Sequence, residues 1–219
     1  MRQMFDTIAG RYETLNRITA LGMDAGWRRR CVRALGLPAG SLVLDVACGT
    51  GDLCRQLARC GIAPVGVDLS PGMLGHARTT APLLLADALV APLRPASFDG
   101  AVSGFALRNV VDLGALFAEL ARLVRPGGRI SLLDLAEPED PLLRFGHRLW
   151  CDYAVPLVGS VLSDAEAYRY LPRSLAYLPP AGKVAGLLES AGFAAVEHEL
   201  LSWGASQLYV ATRAREVTP

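Results

Sequence analysis

A short buried strand that runs into a glycine-rich loop constrains the fold of this chain more than any other feature. Residues 41–46 read Ser-Leu-Val-Leu-Asp-Val, and the loop Ala-Cys-Gly-Thr-Gly follows at 47–51. Glycines at the end of a strand let the backbone approach a ligand where a side chain would clash. A second apolar strand, at 63–68, ends on Asp68. The pattern predicts a parallel α/β sheet that binds a nucleotide-like ligand at its carboxyl edge.

The alternation of strands and helices continues along the chain. After a helix at 52–60, the sequence predicts a helix at 73–79, strands at 83–87 and 98–103, a helix at 113–124, a turn at 126–128 and a strand at 129–135. A helix at 183–190 and strands near 196–201 and 207–212 complete the pattern. Strands and helices that alternate at this spacing predict a doubly wound parallel sheet, covered by helices on both faces.

The 219 residues predict a single domain with four parts. A helical cap occupies 1–40, with its second helix near 25–35, and a cofactor-binding core occupies 41–136. A substrate-side insert at 137–180 carries a helix near 142–153, and a C-terminal helix with strands occupies 181–219. The insert interrupts the alternation with prolines and aromatic residues. We expect it to set substrate specificity, because segments over a strand edge shape pockets.

Composition excludes several classes of function. The 22 basic and 21 acidic side chains leave a net charge of +1, which argues against a nucleic-acid partner. Five cysteines without paired metal-ligand spacing predict free thiols in a reducing cytoplasm and no metal site. The longest apolar stretch, 83–93, is interrupted by Asp87, so no segment is expected to span a membrane. Contact with a membrane surface stays open.

The residues around the glycine loop fit S-adenosylmethionine as the cofactor. Asp45 precedes the loop and can reach the ammonium of an amino-acid tail, while Gly49 and Gly51 admit the ligand close to the backbone. Asp68 can accept hydrogen bonds from both hydroxyls of a ribose. An adenosine that carries a zwitterionic methionine tail therefore matches the pattern.

The loop has two other interpretations. A dinucleotide site of the GxGxxG type would need glycine at position 54, where the chain has Cys54. A glycine-rich turn without a ligand is the second. Asp87 and Ala88 follow the third strand, where an acid can accept from an adenine amino group, although an ordinary solvated strand end has the same sequence pattern.

Several further segments make the resemblance to a known family specific. They are residues 4–9, 11–16, 27–29, 44–52, 105–112 and 168–171, with Ser174. Their order resembles class I methyltransferases, and over nearly the whole chain it is similar to the ubiquinone/menaquinone biosynthesis C-methyltransferases. The glycine loop is shared by many methyltransferases, whereas the N-terminal segments, Leu-Arg-Asn-Val at 107–110 and Tyr-Arg-Tyr-Leu at 168–171 are more specific.

The resemblance implies a Rossmann-like fold and a substrate. The fold is a seven-stranded, mostly parallel sheet whose last strand runs antiparallel, with N-terminal helices and a helical insert before the last strands. The reaction is methylation of a ring carbon of a prenylated quinol, such as demethylmenaquinol. Peripheral contact with the inner face of the membrane and a homodimer stay open. By position, the cofactor contacts fall on Thr50, Asp68, Asp87 and Ala88.

Two positions depart from the family pattern. Gly104 stands where relatives are expected to carry serine, with Ser103 one place earlier, and we expect Gly104 to contact the cofactor. Tyr209 stands where many relatives carry histidine. These departures keep open a methyltransferase that acts on a soluble phenolic or polyketide metabolite. A non-catalytic protein that binds S-adenosylmethionine is the third alternative.

The catalytic hypothesis rests on Arg108 and Asn109, just past the fourth predicted strand. An aromatic carbon is a weak nucleophile until a neighbouring hydroxyl loses its proton. We expect Arg108 to stabilise that phenolate, directly or through a water that acts as base, because arginine itself stays protonated. Asn109 would orient the ring. In the alternative interpretation, Arg108 only fixes a loop by binding backbone carbonyls.

The remaining candidates lie in the cap and the insert. Tyr12 is expected to close over the cofactor, and His147 is a weaker candidate for proton acceptor. The candidates for the substrate entrance are Tyr153, Tyr168, Arg169 and Tyr170. Residues 141–150 mix apolar and cationic side chains, as in an interfacial helix or a lid packed on the domain. Arg28, Arg29 and Arg30 either meet lipid headgroups or are simply solvated.

Overall fold

The computed structural model describes residues 17, 20–149 and 178–215, without the side chains at 147 and 148. The strands are β1 Leu42–Val46, β2 Ala63–Asp68, β3 Leu83–Leu85, β4 Phe98–Gly104, β5 Val124–Leu135, β6 Phe193–Leu201 and β7 Ser206–Arg213. The helices are α1 Asp24–Ala34, α2 Asp52–Arg59, α3 Pro71–Gly75, α4 Leu113–Leu123, α5 Pro141–Leu149 and α6 Ala181–Ser190. Short 3-10 turns lie at Leu107–Asn109 and Ser202–Gly204.

The strands form one seven-stranded sheet in the order β3-β2-β1-β4-β5-β7-β6. Strands β1 to β5 pair in parallel, and β7 runs antiparallel to both β5 and β6. The predicted doubly wound sheet with an antiparallel last strand is therefore confirmed. From β1 the chain moves outward to β2 and β3 and then returns to β4 on the other side. Ligands in open α/β sheets bind at such a reversal.

Each face of the sheet has its own hydrophobic core. On one face Phe117 of α4 and Leu188 of α6 pack in a cluster with Ile130 of β5. On the other face Leu35 beside α1 and Leu57 of α2 belong to the second cluster. Helices on both faces explain why the parallel strands read as continuous apolar runs in the sequence.

Several element boundaries differ from the sequence prediction by one to a few residues, and two of these differences have a clear physical reason. The turn expected at 126–128 lies inside β5, which begins at Val124. The register there shifts between Phe98 and Gly100, so the extra residues form a bulge in the strand. Helix α3 begins at Pro71 rather than near 73, because Ser70 caps it by accepting from the Met73 amide at 3.0 Å.

Candidate functional site

A cavity of about 350 Å³ opens at the carboxyl ends of β1, β2 and β4. Its size falls within the usual range for small-molecule sites. The predicted cofactor residues that line it are Asp45, Gly49, Thr50, Asp68, Asp87, Ala88 and Gly104. Segments far apart in the sequence are thus brought to one place by the parallel strands. Gly51 is not among the lining residues and precedes α2 with a φ of +83°.

The glycine loop is held open by Asp68 at the end of β2. One Asp68 oxygen accepts from the Gly49 amide at 2.7 Å, and the other accepts from the Ser70 amide at 2.8 Å. The loop bends through positive φ values at Ala47 and Gly49, both +54°. A carboxylate has about four lone pairs, so Asp68 can hold the loop and still accept from ligand hydroxyls.

Asp45 is a buried carboxylate that faces the cavity from the end of β1. One of its oxygens, Oδ2, accepts from the Cys54 amide at 3.0 Å and from the Cys54 thiol at 3.2 Å. The other oxygen, Oδ1, is buried and has no hydrogen-bond partner. Burial raises the pKa of Asp45 to about 7; the nearby Asp68 adds to the rise, and Cys54 and Arg28 oppose it.

The cavity fits S-adenosylmethionine on these observations. The unpartnered Oδ1 of Asp45 offers a buried acceptor to an ammonium group. Asp68 presents a carboxylate that can accept from hydroxyl groups, and Asp87 with Ala88 lines the part of the cavity next to the end of β3. One Asp87 oxygen accepts from the Leu89 amide at 2.9 Å, which fixes that carboxylate in place.

The two predicted catalytic residues are oriented differently. Asn109 lines the cavity, whereas Arg108, next to it in the 3-10 turn, does not. The buried Arg108 guanidinium forms an ion pair with the buried Asp134 of β5. Asp134 also accepts from the Arg108 amide at 3.0 Å. The pair fixes the turn that presents Asn109, and the role of Arg108 in the reaction stays a prediction.

Five other predicted site residues, Tyr12, Tyr153, Tyr168, Arg169 and Tyr170, lie outside the described residues, as does the side chain of His147. Among the described residues, no group of three or more histidine, cysteine, aspartate or glutamate side chains can hold a metal ion. None of the described helices has the length and apolar character needed to cross a bilayer.

Residues 1–213 match the ubiE/COQ5 methyltransferase family. The chain belongs to this family. It is therefore a methyltransferase, as predicted. A demethylmenaquinone methyltransferase of Roseiflexus castenholzii is 39% identical, over 95% of this chain and 91% of the relative. A ubiquinone/menaquinone biosynthesis C-methyltransferase of Syntrophotalea carbinolica is 38% identical, over 97% and 93%. The demethylmenaquinone methyltransferase of Thermus thermophilus is 36% identical, over 96% and 100%.

Solved structures confirm the fold. A methyltransferase of Thermotoga maritima, described as a possible histamine N-methyltransferase, has a TM-score of 0.70 at 19% identity, over 97% of this chain and 99% of that one. The phosphoethanolamine N-methyltransferase 2 of Haemonchus contortus, in complex with S-adenosyl-L-methionine, has a TM-score of 0.63 at 16% identity, over 87% and 53%. At such identities the likeness concerns the fold alone.

Sequence analysis of this ubiE/COQ5 methyltransferase missed several side chains that line the cavity. They are Arg28, Asp52, Leu53, Met73, Phe105 and Val110, with others beside them. Leu53 packs beside position 104, where relatives are expected to carry serine. A Cβ at Gly104 would lie 2.9 Å from the Leu53 Cδ1 atom, so a side chain there would require Leu53 to shift. Asp52, Leu53 and Phe105 follow or lie within quoted motifs and could have been found from their neighbours. Arg28 also lies within a quoted segment, 27–29, but nothing there distinguishes it from the exposed Arg29.

The second departure, Tyr209, lies away from the cavity. Tyr209 belongs to β7, and its side chain is fully buried in the core. Its hydroxyl donates to Gln207 at 2.8 Å, and its ring stacks on His198. Burial raises the pKa of Tyr209, so the phenol stays protonated. This residue therefore belongs to the core of the C-terminal strands.

Replacing Tyr209 with phenylalanine is expected to lower the free energy of unfolding by about 1 kcal/mol, because one buried hydrogen bond is lost. The rate of methyl transfer should change by less than about twofold, since the hydroxyl is remote from the cavity. Urea unfolding and an initial-rate assay measure the two quantities. A large loss of rate at unchanged stability would instead place Tyr209 in the substrate site.

Proposed function

We propose that the protein transfers a methyl group from S-adenosylmethionine to a ring carbon of a prenylated quinol, converting demethylmenaquinol to menaquinol. The observation that carries the proposal is the family match over residues 1–213, together with relatives of 36–39% identity named demethylmenaquinone methyltransferase. The cavity at the carboxyl ends of β1, β2 and β4 supports it, because its residues fit the cofactor.

The cofactor, when bound, supplies an electrophilic methyl group. The protein has to hold the quinol carbon in line with that methyl and keep water out; orientation of this kind contributes on the order of 7–11 kcal/mol in favourable cases. Asp45 would hold the ammonium of the cofactor and Asp68 its ribose. Apolar side chains, including Phe105 and Val110, line the same cavity and would exclude water.

The acceptor carbon becomes nucleophilic when the neighbouring hydroxyl is ionised. In this proposal Asn109, which faces the cavity, orients the ring. Arg108 stabilises the phenolate indirectly, through a water molecule that takes the hydroxyl proton and passes it to solvent. Once the ring carbon carries the methyl group, it loses its own hydrogen as a proton to solvent, which restores the aromatic ring. A preorganised positive charge acts strongly on developing negative charge in a buried site. The ion pair with Asp134 fixes the guanidinium in position.

The test is a transfer assay with radiolabelled S-adenosylmethionine and a reduced short-chain demethylmenaquinol. We expect label in the ring-methylated quinone and none when the quinol is omitted or oxidised. Absence of transfer by protein that binds the cofactor would overturn the quinol substrate. Label in a soluble phenolic acceptor would then identify the alternative substrate class.

We also propose that the protein reaches this lipid substrate by resting on a bilayer surface. Leu142, Phe145 and Leu149 are 79%, 66% and 53% exposed and recur at helical spacing along α5. Trp203 is 81% exposed, in a turn beside Pro138, the residue to which Arg144 donates at 2.8 Å. A row of exposed leucine and aromatic side chains on a short helix is typical of interfacial binding.

Replacing Phe145 and Trp203 together with glutamate is expected to reduce co-sedimentation with vesicles that contain phosphatidylglycerol at least about tenfold, because two apolar anchors become charged. Methylation of a short-chain quinol in detergent should be retained. Val90, which is 73% exposed in the loop after β3, provides the matched control: its replacement with glutamate should leave sedimentation unchanged. Undiminished vesicle binding by the double variant would contradict this surface.

A further inference from the structure

Arg28 of helix α1 is a basic side chain buried at the cofactor cavity. The residue is 8% exposed, lines the cavity and lies in a run of three arginines whose other members, Arg29 and Arg30, are exposed. The sequence left the whole run as either solvated or facing lipid headgroups. For Arg28 both interpretations are wrong, because its guanidinium is turned inward.

The charge of the cavity makes this arginine unusual. The acidic residues that line it are Asp45, Asp52, Asp68 and Asp87, and Arg28 is the basic one among the described lining residues. S-adenosylmethionine carries a sulfonium, an ammonium and one carboxylate, so an acidic cavity suits its two cations. Its single anion requires a donor of positive charge, and a planar guanidinium matches a carboxylate in geometry as well as in sign.

The guanidinium is held in place before any ligand arrives. Arg28 forms an ion pair with Asp24, four residues earlier on α1, and a second with Asp52 at the start of α2 at 3.0 Å. Its guanidinium lies 5.3 Å from the centroid of the Phe105 ring. An arginine has five N–H donors, so the guanidinium retains donors for a further carboxylate. A side chain fixed in this way loses little entropy on binding.

We propose that Arg28 binds the carboxylate of the methionine moiety of the cofactor, while Asp45 binds its ammonium. The inference rests on the proposed cofactor. In this proposal α1 binds the carboxylate of the amino-acid tail and β1 binds its ammonium. The packing of α1 on the sheet therefore completes the cofactor site. In the competing interpretation, Arg28 only ties α1 to α2 through Asp52.

Two ligands that differ only in the carboxylate distinguish the two interpretations. S-adenosylhomocysteine has the carboxylate, and S-adenosyl-3-thiopropylamine has the same skeleton and ammonium without it. Isothermal titration of the wild-type protein should give about ten- to a hundredfold tighter binding of S-adenosylhomocysteine, as for a charge-assisted hydrogen-bonded pair. Arg28→Met should remove this preference by weakening S-adenosylhomocysteine alone. Arg28→Lys should restore part of it, and Arg29→Met, on the exposed side of α1, should retain it.

Each outcome decides between the interpretations. Equal binding of both ligands by the wild-type protein overturns the proposal without the need for any variant. Equal weakening of both ligands in Arg28→Met also overturns it and supports the structural tie. A wild-type protein that binds neither ligand would overturn the proposed cofactor itself, whereas selective loss of S-adenosylhomocysteine in Arg28→Met supports both.

Discussion

Replacing Asp45 with asparagine is expected to weaken binding of S-adenosylhomocysteine about a hundredfold, because a buried ammonium loses the charge that balances it. Asparagine keeps the shape of the side chain and an oxygen that can accept from the Cys54 amide, now bonded to Asp45 at 3.0 Å. The loss should therefore reflect charge rather than a collapsed loop. Isothermal titration calorimetry measures the dissociation constant.

The affinity should also depend on pH through Asp45. Burial raises the pKa of Asp45 to about 7, so the carboxyl is neutral below that pH and negative above it. Only the negative form attracts an ammonium. The wild-type protein should therefore bind S-adenosylhomocysteine about tenfold more weakly one pH unit below this value than well above it.

The asparagine variant provides the control for this pH dependence. With no carboxyl at position 45, its dissociation constant should stay level between pH 6 and pH 8, within about twofold. A wild-type protein whose affinity does not change across this range would contradict the assignment of Asp45 as the ammonium partner. The same slope in both proteins would attribute the pH dependence to another group.

The central strands were predictable because each is largely a local apolar run. The bounds of β2, at 63–68, agree with the sequence prediction, and β1 and β4 differ from it by one residue. Strands β1 and β4 are central in the sheet and buried along most of their length, so their composition reports their position directly. The cofactor residues that follow them were predictable for the same reason, because parallel strands bring their carboxyl ends together.

The features that the sequence did not reveal depend on long-range pairing. At the bulge in β5, Gly128 passes close to the backbone of β4, and a Cβ there would lie 2.6 Å from the Asp99 carbonyl oxygen. Nothing within residues 126–128 distinguishes this bulge from a turn. Arg28 is a similar case, since its burial follows from the packing of α1 against α2 and its neighbours Arg29 and Arg30 are exposed.

The sequence also did not reveal the partner of Arg108, because that partner is distant in the chain. Leu-Arg-Asn at 107–109 indicated a functional turn, but the partner of its arginine, Asp134, lies 26 residues later, on strand β5. The sequence therefore placed both Arg108 and Asn109 towards the ligand. The structure places Asn109 at the cavity and Arg108 against β5. A replacement of Arg108 is therefore expected to lower stability as well as turnover.

Replacing Arg108 with alanine is expected to lower turnover by at least about a hundredfold, because the proposed mechanism then loses the charge that stabilises the phenolate. Affinity for S-adenosylhomocysteine should stay within about threefold, since Arg108 does not line the cavity. The free energy of unfolding should fall by about 3–5 kcal/mol, because the change leaves Asp134 buried without its cation. Single-turnover methyl transfer, calorimetry and urea unfolding measure these three quantities.

Arg122 separates the catalytic effect from the structural one. It forms an ion pair with Glu119 on α4 and donates to the Leu93 carbonyl oxygen at 2.9 Å, and it does not line the cavity. Arg122→Ala should therefore lower stability while the folded protein keeps its turnover. If Arg108→Ala turns over as the wild type does, Arg108 has no part in the mechanism and only fixes the turn. If turnover falls in proportion to stability in both variants, the lower turnover of Arg108→Ala reflects unfolding. If folded Arg108→Ala alone loses turnover, the charge of Arg108 takes part in the reaction.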